Sequence, residues 1–324
     1  VEYRRLGATG LEVSVLGLGA SALGSMYRPV SDREAREVVA EAFDLGITYF
    51  DVSPYYGLTL AEARLGQALA SLPRVKLVLS TKAGRYGDQV FDFSRARIAR
   101  SIDESLARLK TDYLDIVLLH DIEFGDPVQV VEEGWRALVD ARQAGKVRYA
   151  GASGLPLGVL ADFARAAAPD VILSYCHYCL NDQSLDQLAD SLTAQQIGLI
   201  NASPLAMGLL TAAGPPSWHP APAPLLAAAQ EAARVAAAHG VNLADLALQF
   251  ATRHPRVATT LVSTARVDHL RHDVKTITRP MDDEALTAVL AALAPVKNLS
   301  WPSGRADWSL PARSAGGGRA TDEG

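Results

Sequence analysis

Cysteine is almost missing from this chain: Cys176 and Cys179 are its only two, in a Cys-His-Tyr-Cys run. Two thiols cannot form the disulfide framework of a small secreted domain, and without a second ligand pair they make at most half a metal site. The pair falls at a predicted strand end, so it is read as packing, with no metal, in a protein suited to a reducing cytoplasm. Basic charge is also short. Thirty-one Lys and Arg against 36 Asp and Glu leave a net charge of −5, without the basic excess of a general nucleic-acid binder. No apolar run approaches the ~20 residues that span a bilayer, and Val1-Glu2-Tyr3-Arg4-Arg5 has no apolar signal core. What remains is 49% hydrophobic and 21% charged, the composition of a soluble globular protein. Its 324 residues allow one large α/β domain or two medium ones.

The order of elements narrows the choice. Tyr3–Leu6, a Gly7-Ala8-Thr9-Gly10 turn and Leu11–Leu16 predict a small hairpin. Ser31-Asp32-Arg33-Glu34 has the pattern of a capping box, and the helix after it carries Ala35, Val38, Val39 and Ala42 at helical spacing before stopping at Gly46. From Leu16 onward, strand and helix patterns alternate. Strands are expected over 16–21, 49–53, 77–81, 115–119, 148–152, 171–175, 198–202 and 259–262. Helices are expected over 60–71, 94–109, 127–144, 156–167, 184–196 and 265–275. Eight such units fit a closed (β/α)8 TIM barrel better than an open sheet. After strand seven, a Gly/Pro/Trp-rich loop and two helices (225–239 and 243–253) are expected, and a surface helix at 282–293 follows the eighth unit. The barrel is assigned to 1–305 and a flexible, glycine-rich tail to 306–324. An open dinucleotide-binding sheet is rejected: Gly17 and Gly19 begin a G-x-G, but Ala22 stands where the third glycine belongs.

Four ionisable residues lie at or just past successive strand ends: Asp51, Tyr56 in the next loop, Lys82 and His120. Barrels of this kind place their reacting groups at that face. A free tyrosine, with a pKa of about 10, is a poor proton shuttle at neutral pH. A nearby ammonium favours the phenolate, a carboxylate holds the ammonium in place, and a histidine orients the reacting oxygen. The set suits proton transfer at a carbonyl or alcohol carbon coupled to hydride transfer.

Asp51, Tyr56-Gly57, Lys82 and Leu119-His120-Asp121 resemble, residue by residue, the catalytic tetrad of the aldo-keto reductase superfamily. Longer motifs resemble its L-galactose dehydrogenase/aldose 1-dehydrogenase branch. They include Ser80-Thr81-Lys82-Ala83-Gly84-Arg85-Tyr86, His120-Asp121-Ile122-Glu123-Phe124-Gly125, Ser174-Tyr175-Cys176-His177-Tyr178 and Trp301-Pro302-Ser303-Gly304. The resemblance implies Tyr56 as general acid/base, Lys82 and Asp51 tuning it, and His120 positioning the substrate oxygen. It also implies a nicotinamide dinucleotide bound across the barrel mouth. The nicotinamide would lie near Ser153 and Ser174, the pyrophosphate near Ser203, Leu205 and Gly208, and the adenosine end between Ser263 and Asp273.

Backbone N–H groups of a glycine-containing loop can cradle phosphate, although Ser203-Pro204-Leu205 also reads as a plain strand exit. This chain departs from the wider superfamily at several positions. Gly154 follows Ser153 where an asparagine is usual, Ser174 stands where a glutamine is common, and Ala202 replaces a frequent tyrosine. Ser263 and His269 stand where NADP-preferring members carry a lysine and an arginine. Two lost charge-assisted contacts, at ~1.5–3 kcal/mol each, favour NAD over NADP unless Arg266 or Arg271 compensates.

The resemblance therefore implies an NAD(P)-dependent oxidoreductase that oxidises the anomeric hydroxyl of a small-molecule sugar of L-galactose or L-fucose type. Tyr56 as tyrosinate would take the hydroxyl proton. Tyr86, His177 and Trp218 are candidate sugar contacts, or packing residues. Alternatives are an aldehyde or pyridoxal oxidoreductase on the same machinery and a regulatory dinucleotide-sensing subunit. No nucleic-acid or membrane partner is expected, and the protein is expected as a monomer or homodimer.

Overall fold

The computed structural model describes residues 1–310. Its centre is a closed, all-parallel barrel of eight strands in sequential order. They are β1 (Leu16–Gly19), β2 (Tyr49–Asp51), β3 (Val78–Ala83), β4 (Leu114–Leu119), β5 (Val147–Gly154), β6 (Val171–Tyr175), β7 (Gly198–Ala202) and β8 (Thr259–Val262). Strand-to-strand neighbours follow the chain because each crossover carries a helix, the connection that parallel pairing requires. The (β/α)8 expectation and all eight strand positions hold.

Period-two alternation sends one face of each strand inward and the other to the helices. Tyr49, Val78, Ile116, Leu118, Val171, Leu173, Ile200 and Leu261 form the inner cluster, which Leu6, Leu11 and Val13 of the N-terminal hairpin close from below. Phe50, Leu79, Val117, Leu119, Ala150, Ile172 and Leu199 face outward into the larger barrel–helix core. The capping box is present: Ser31 Oγ accepts from Glu34 N–H while Glu34 reaches back to the Ser31 backbone N–H.

Several elements differ from expectation. The helix expected over 127–144 passes through a π segment, Val130–Trp135, between Pro127–Gln129 and Arg136–Gln143. A hairpin of Arg85–Gly87 and Val90–Phe91, too short for an alternation signal, follows β3. Helix Asp283–Leu293 packs its Val289 and Leu293 into a second core with the alanine-rich helix Ala223–Ala238. The chain is also anchored beyond residue 305. Trp308 is buried and donates its indole N–H to Ile122 O at 2.9 Å, and Arg305 N–H donates to Glu123 O at 2.9 Å. The rest of the expected tail, 311–324, lies outside the described residues. Among the described residues, no helix is long and apolar enough to cross a membrane.

Gly66 shows how tightly the outer layer is built. A Cβ there would fall 2.3 Å from Arg108 O and 2.6 Å from Leu109 Cα, both backbone atoms of the neighbouring helix. Helix propensity alone says that Gly66→Ala stabilises by ~1 kcal/mol. The clash, costing ~1–3 kcal/mol or more, acts against it. Gly66→Ala is expected to lower the urea midpoint, and a raised midpoint would show that the two helices separate freely.

Candidate active site

The barrel mouth gathers the four strand-end residues. Asp51 ends β2, Lys82 is the penultimate residue of β3 and His120 directly follows β4. Asp51, Lys82 and His120 are 2%, 2% and 4% exposed, so their charges meet each other rather than water. Lys82 Nζ donates to Asp51 Oδ1, to Val52 O at 3.0 Å and to the Tyr56 hydroxyl at 3.3 Å. The Tyr56 and His120 rings stand edge to face with centroids 5.8 Å apart. Tyr56 owes its place to a close backbone approach: a Cβ on Gly57 would fall 2.2 Å from Gly24 O, so the two loops touch only because both positions are glycine.

Burial and charge act in opposite directions here. Burial pushes the Tyr56 hydroxyl up, Lys82 pulls it down, Asp51 and Asp121 push it up again, and the net is about 12. The lysine thus opposes, without reversing, the cost of burying a phenolate, and the unliganded protein holds Tyr56 protonated rather than as the expected tyrosinate. Burial also weakens the Lys82 ammonium, but Asp51 and Tyr56 outweigh it and hold the lysine charged. His120 is driven well below its usual range, first by burial and then by the positive charges of Lys82 and Arg85, and is neutral at physiological pH. Its Nδ1 lies 2.9 Å from Ser53 Oγ, which also accepts the Tyr55 backbone N–H at 3.1 Å. With the Ser53 hydroxyl donating to Nδ1, the proton of the neutral ring sits on Nε2 as a donor for a substrate oxygen.

Beside the tetrad lies a group of residues that strand-end reasoning missed. Arg85 donates to Asp121 Oδ2 at 2.6 Å and lies 3.9 Å from the centre of the Tyr55 ring. Glu123 is fully buried and accepts the Leu155 N–H and the Ser303 hydroxyl, each at 3.0 Å. Burial, then Asp121, pushes its carboxyl up to about 7. The available signals were Asp121 beside His120 and Arg85 three residues after Lys82; neither is readable without the hairpin that folds Arg85 back over the mouth.

The expected cofactor residues separate into groups. Ser153 is on the inner face of β5 and buried; Ser174 shares the outward face of β6 with Ile172, so Tyr175, on the inner side, faces the mouth instead. At Gly154, a Cβ would fall 2.6 Å from Glu123 Oε2: the carboxylate takes the room that a side chain there would need. After β7, Ser203, Ala206, Met207 and Gly208 all have left-handed backbone, with φ of 56°, 45°, 54° and 97°. Such runs make concave, N–H-rich turns and concentrate at functional sites. Leu205 lies within the same turn.

At the far end, a groove of about 470 Å³ is bounded by Arg28, Glu34, Glu37, Arg266 and Asp268, at the start of helix Val267–Thr278. Ser263 bonds to Ser21 Oγ at 2.8 Å and Ala22 N–H at 3.0 Å; His269 is exposed on that helix. Asp273 is half-buried, and burial pushes it up to about 7. The left-handed turn offers backbone N–H groups and the groove offers charged side chains, chemistry of the kind that the phosphates and ribose of a dinucleotide require.

The three candidate sugar contacts are in different settings. The Tyr86 ring lies 3.7 Å under the Arg97 guanidinium, against helix Arg95–Leu109 and away from the tetrad. His177 is buried with Nδ1 3.1 Å from Asp182 and 3.0 Å from Ser184. Trp218 is exposed in the loop after β7. Cys176 and Cys179 are free and buried, and no group of three or more metal-ligating side chains occurs among the described residues.

Comparison with known proteins agrees with this geometry. A model of the aldo/keto reductase family matches residues 15–294. An L-galactose dehydrogenase of Arabidopsis thaliana is 47% identical over 313 residues, covering 94% of this chain and 98% of its own length. A D-threo-aldose 1-dehydrogenase of a Pseudomonas species is 31% identical, covering 83% and 90%. The holo form of an aldo-keto reductase from Bacillus halodurans superposes with a TM-score of 0.78 at 25% identity, over 93% of this chain and 98% of that one.

The buried pair allows a test that needs no substrate. Lys82→Met strands the Asp51 carboxylate and should cost about 3–5 kcal/mol of stability. Adding Asp51→Leu should recover most of it, because removing both charges removes the desolvation penalty. Additive losses in denaturant titrations would contradict this coupling.

Proposed function

The chain belongs to the aldo/keto reductase family, and within this family of oxidoreductases we propose that it is an NAD-dependent aldose 1-dehydrogenase. It oxidises the anomeric hydroxyl of a sugar of L-galactose or L-fucose type to the lactone. The observation that carries the reading is the Asp51–Lys82–Tyr56 chain beside neutral His120, in a protein 47% identical to an L-galactose dehydrogenase over nearly both full lengths. The sugar hydroxyl is held between the Tyr56 oxygen and His120 Nε2. Tyr56 receives its proton as the C–H hydrogen leaves as hydride; the dinucleotide supplies the hydride acceptor. Ser153, the 203–208 turn and the Arg28–Arg266 groove hold that cofactor.

Charge at the groove supports NAD over NADP. Arg28 is paired with Glu34 at 2.8 Å and Arg266 with Asp268 at 2.6 Å, while Arg271 is bound by Glu41 at 2.7 and 2.8 Å. Glu34 is held down at about 2, chiefly by the Ser31 backbone N–H, and is fully ionised. A 2′-phosphate would meet carboxylates and arginines already engaged; a ribose hydroxyl would meet acceptors. Two free, buried thiols fit a cytoplasmic setting, and a monomer or homodimer is the assembly in keeping with this reading.

Initial rates of NADH formation test the function. L-Galactose should reduce NAD faster than NADP, and oxidation should accelerate with pH through the alkaline range. The sign follows from Tyr56: a group pushed up to about 12 holds its proton at neutral pH, and oxidation needs that site empty. Aldehyde reduction, which needs the proton present, should show no such rise. Tyr56→Phe should lower the rate at least ~100-fold with dinucleotide binding intact. A pH-independent oxidation, or a Tyr56→Phe enzyme of normal rate, contradicts the assignment.

A further inference from the structure

The tetrad handles one oxygen of a sugar that carries several, and beside it stands a charge pair that biases its protonation but to which the proposed proton transfer assigns no contact with substrate. Asp121 Oδ2 accepts from Arg85 Nη1 at 2.6 Å and lies 3.6 Å from His120 Nε2. The carboxylate is 5% exposed and the guanidinium 18%. Both are held firmly: Arg85 stacks on Tyr55, whose hydroxyl donates to Asp88 at 2.8 Å, and the Tyr55 ring packs 6.1 Å from the His120 ring. Asp121 carries a left-handed backbone, φ 51°, which a short polar residue tolerates better than most. Burying an ion pair seldom adds stability over apolar packing, so the placement of this one against the reacting ring calls for a different use.

Simple geometry supplies it. When one oxygen of a sugar sits on His120 Nε2, the hydroxyl on the adjacent carbon lies about a hydrogen-bond length from that oxygen, a span that can reach the Asp121 carboxylate 3.6 Å from the same nitrogen. Resting on the aldose reading above, we propose that Arg85 and Asp121 bind the hydroxyl on the carbon next to the reacting one. Asp121 accepts from its O–H and Arg85 donates to its oxygen. The enzyme is then selective for sugars that carry this hydroxyl, because a substrate lacking it forfeits two charge-assisted hydrogen bonds and leaves the pair only each other as partner.

The test compares kcat/KM for L-galactose and 2-deoxy-L-galactose at saturating NAD, in the wild type, Asp121→Asn, Arg85→Met and Arg85→Lys. The wild type should disfavour the deoxy sugar by at least ~100-fold, the scale of rejection when a hydroxyl-binding site is left unpaired. Asp121→Asn and Arg85→Met should shrink the ratio to below about tenfold, with the loss falling on L-galactose. Arg85→Lys should lie between, keeping the charge but not the planar fork. A purely structural pair would lower both sugars alike and leave the ratio untouched; that result, or a wild type indifferent to the 2-hydroxyl, overturns the proposal. The wild-type comparison decides even if a variant fails to fold. A wild type that oxidises no aldose at all removes the aldose reading itself, and is thereby told apart from a failure of this step alone.

Discussion

A lysine ammonium buried against an aspartate is the constraint around which this barrel mouth is arranged. Lys82 and Asp51 are each 2% exposed, and neither charge is tolerable there without the other. The pair fixes the Lys82 side chain so that its third contact is the Tyr56 hydroxyl, and that contact opposes the penalty of burying a phenolate. Burial, reinforced by the same positive charge and by Arg85, keeps His120 neutral. On top of burial, which is the larger effect at both neighbours, the Lys82 charge acts on them to different ends: it eases proton loss from the tyrosine and disfavours proton gain by the histidine. Acid–base catalysis requires such a separation of roles.

The scaffold serves this by holding strand ends, and loops complete it. The close approach of Gly24 and Gly57 sets Tyr56, and the segment from Ser303 to Trp308 binds the loop that carries Asp121 and Glu123. That segment joins the barrel wall to the loop following β4, so the far end of the chain takes part in shaping the mouth. Glu123 occupies the space beside Gly154, which explains locally why that position carries no side chain.

Much of this was legible in the residues. Period-two strands and capped helices gave away eight units, and Asp51, Lys82 and His120 stood out because each follows an apolar run at a strand end. The net effect on Tyr56 was not legible: a sequence shows that a lysine is near but not how much water is excluded, and exclusion won. Ser174 was misplaced by one step of alternation, the smallest error a strand allows and one that turns a side chain to the opposite face. Tyr86 went astray because the hairpin at 85–91 sends Arg85 inward and its neighbour outward. Arg266 and Arg271 could not be known to be engaged until Asp268 and Glu41 were seen beside them.

In the proposed reaction a sugar's anomeric hydrogen leaves as hydride while Tyr56 takes the hydroxyl proton. L-Galactose deuterated at C1, incubated with NAD and the enzyme, tests it most directly by NMR of both products. Hydride transfer from C1 gives a galactonolactone free of deuterium at C1 and a reduced nicotinamide carrying one deuterium. Label retained in the sugar product, or lost to solvent with unlabelled NADH, would contradict it.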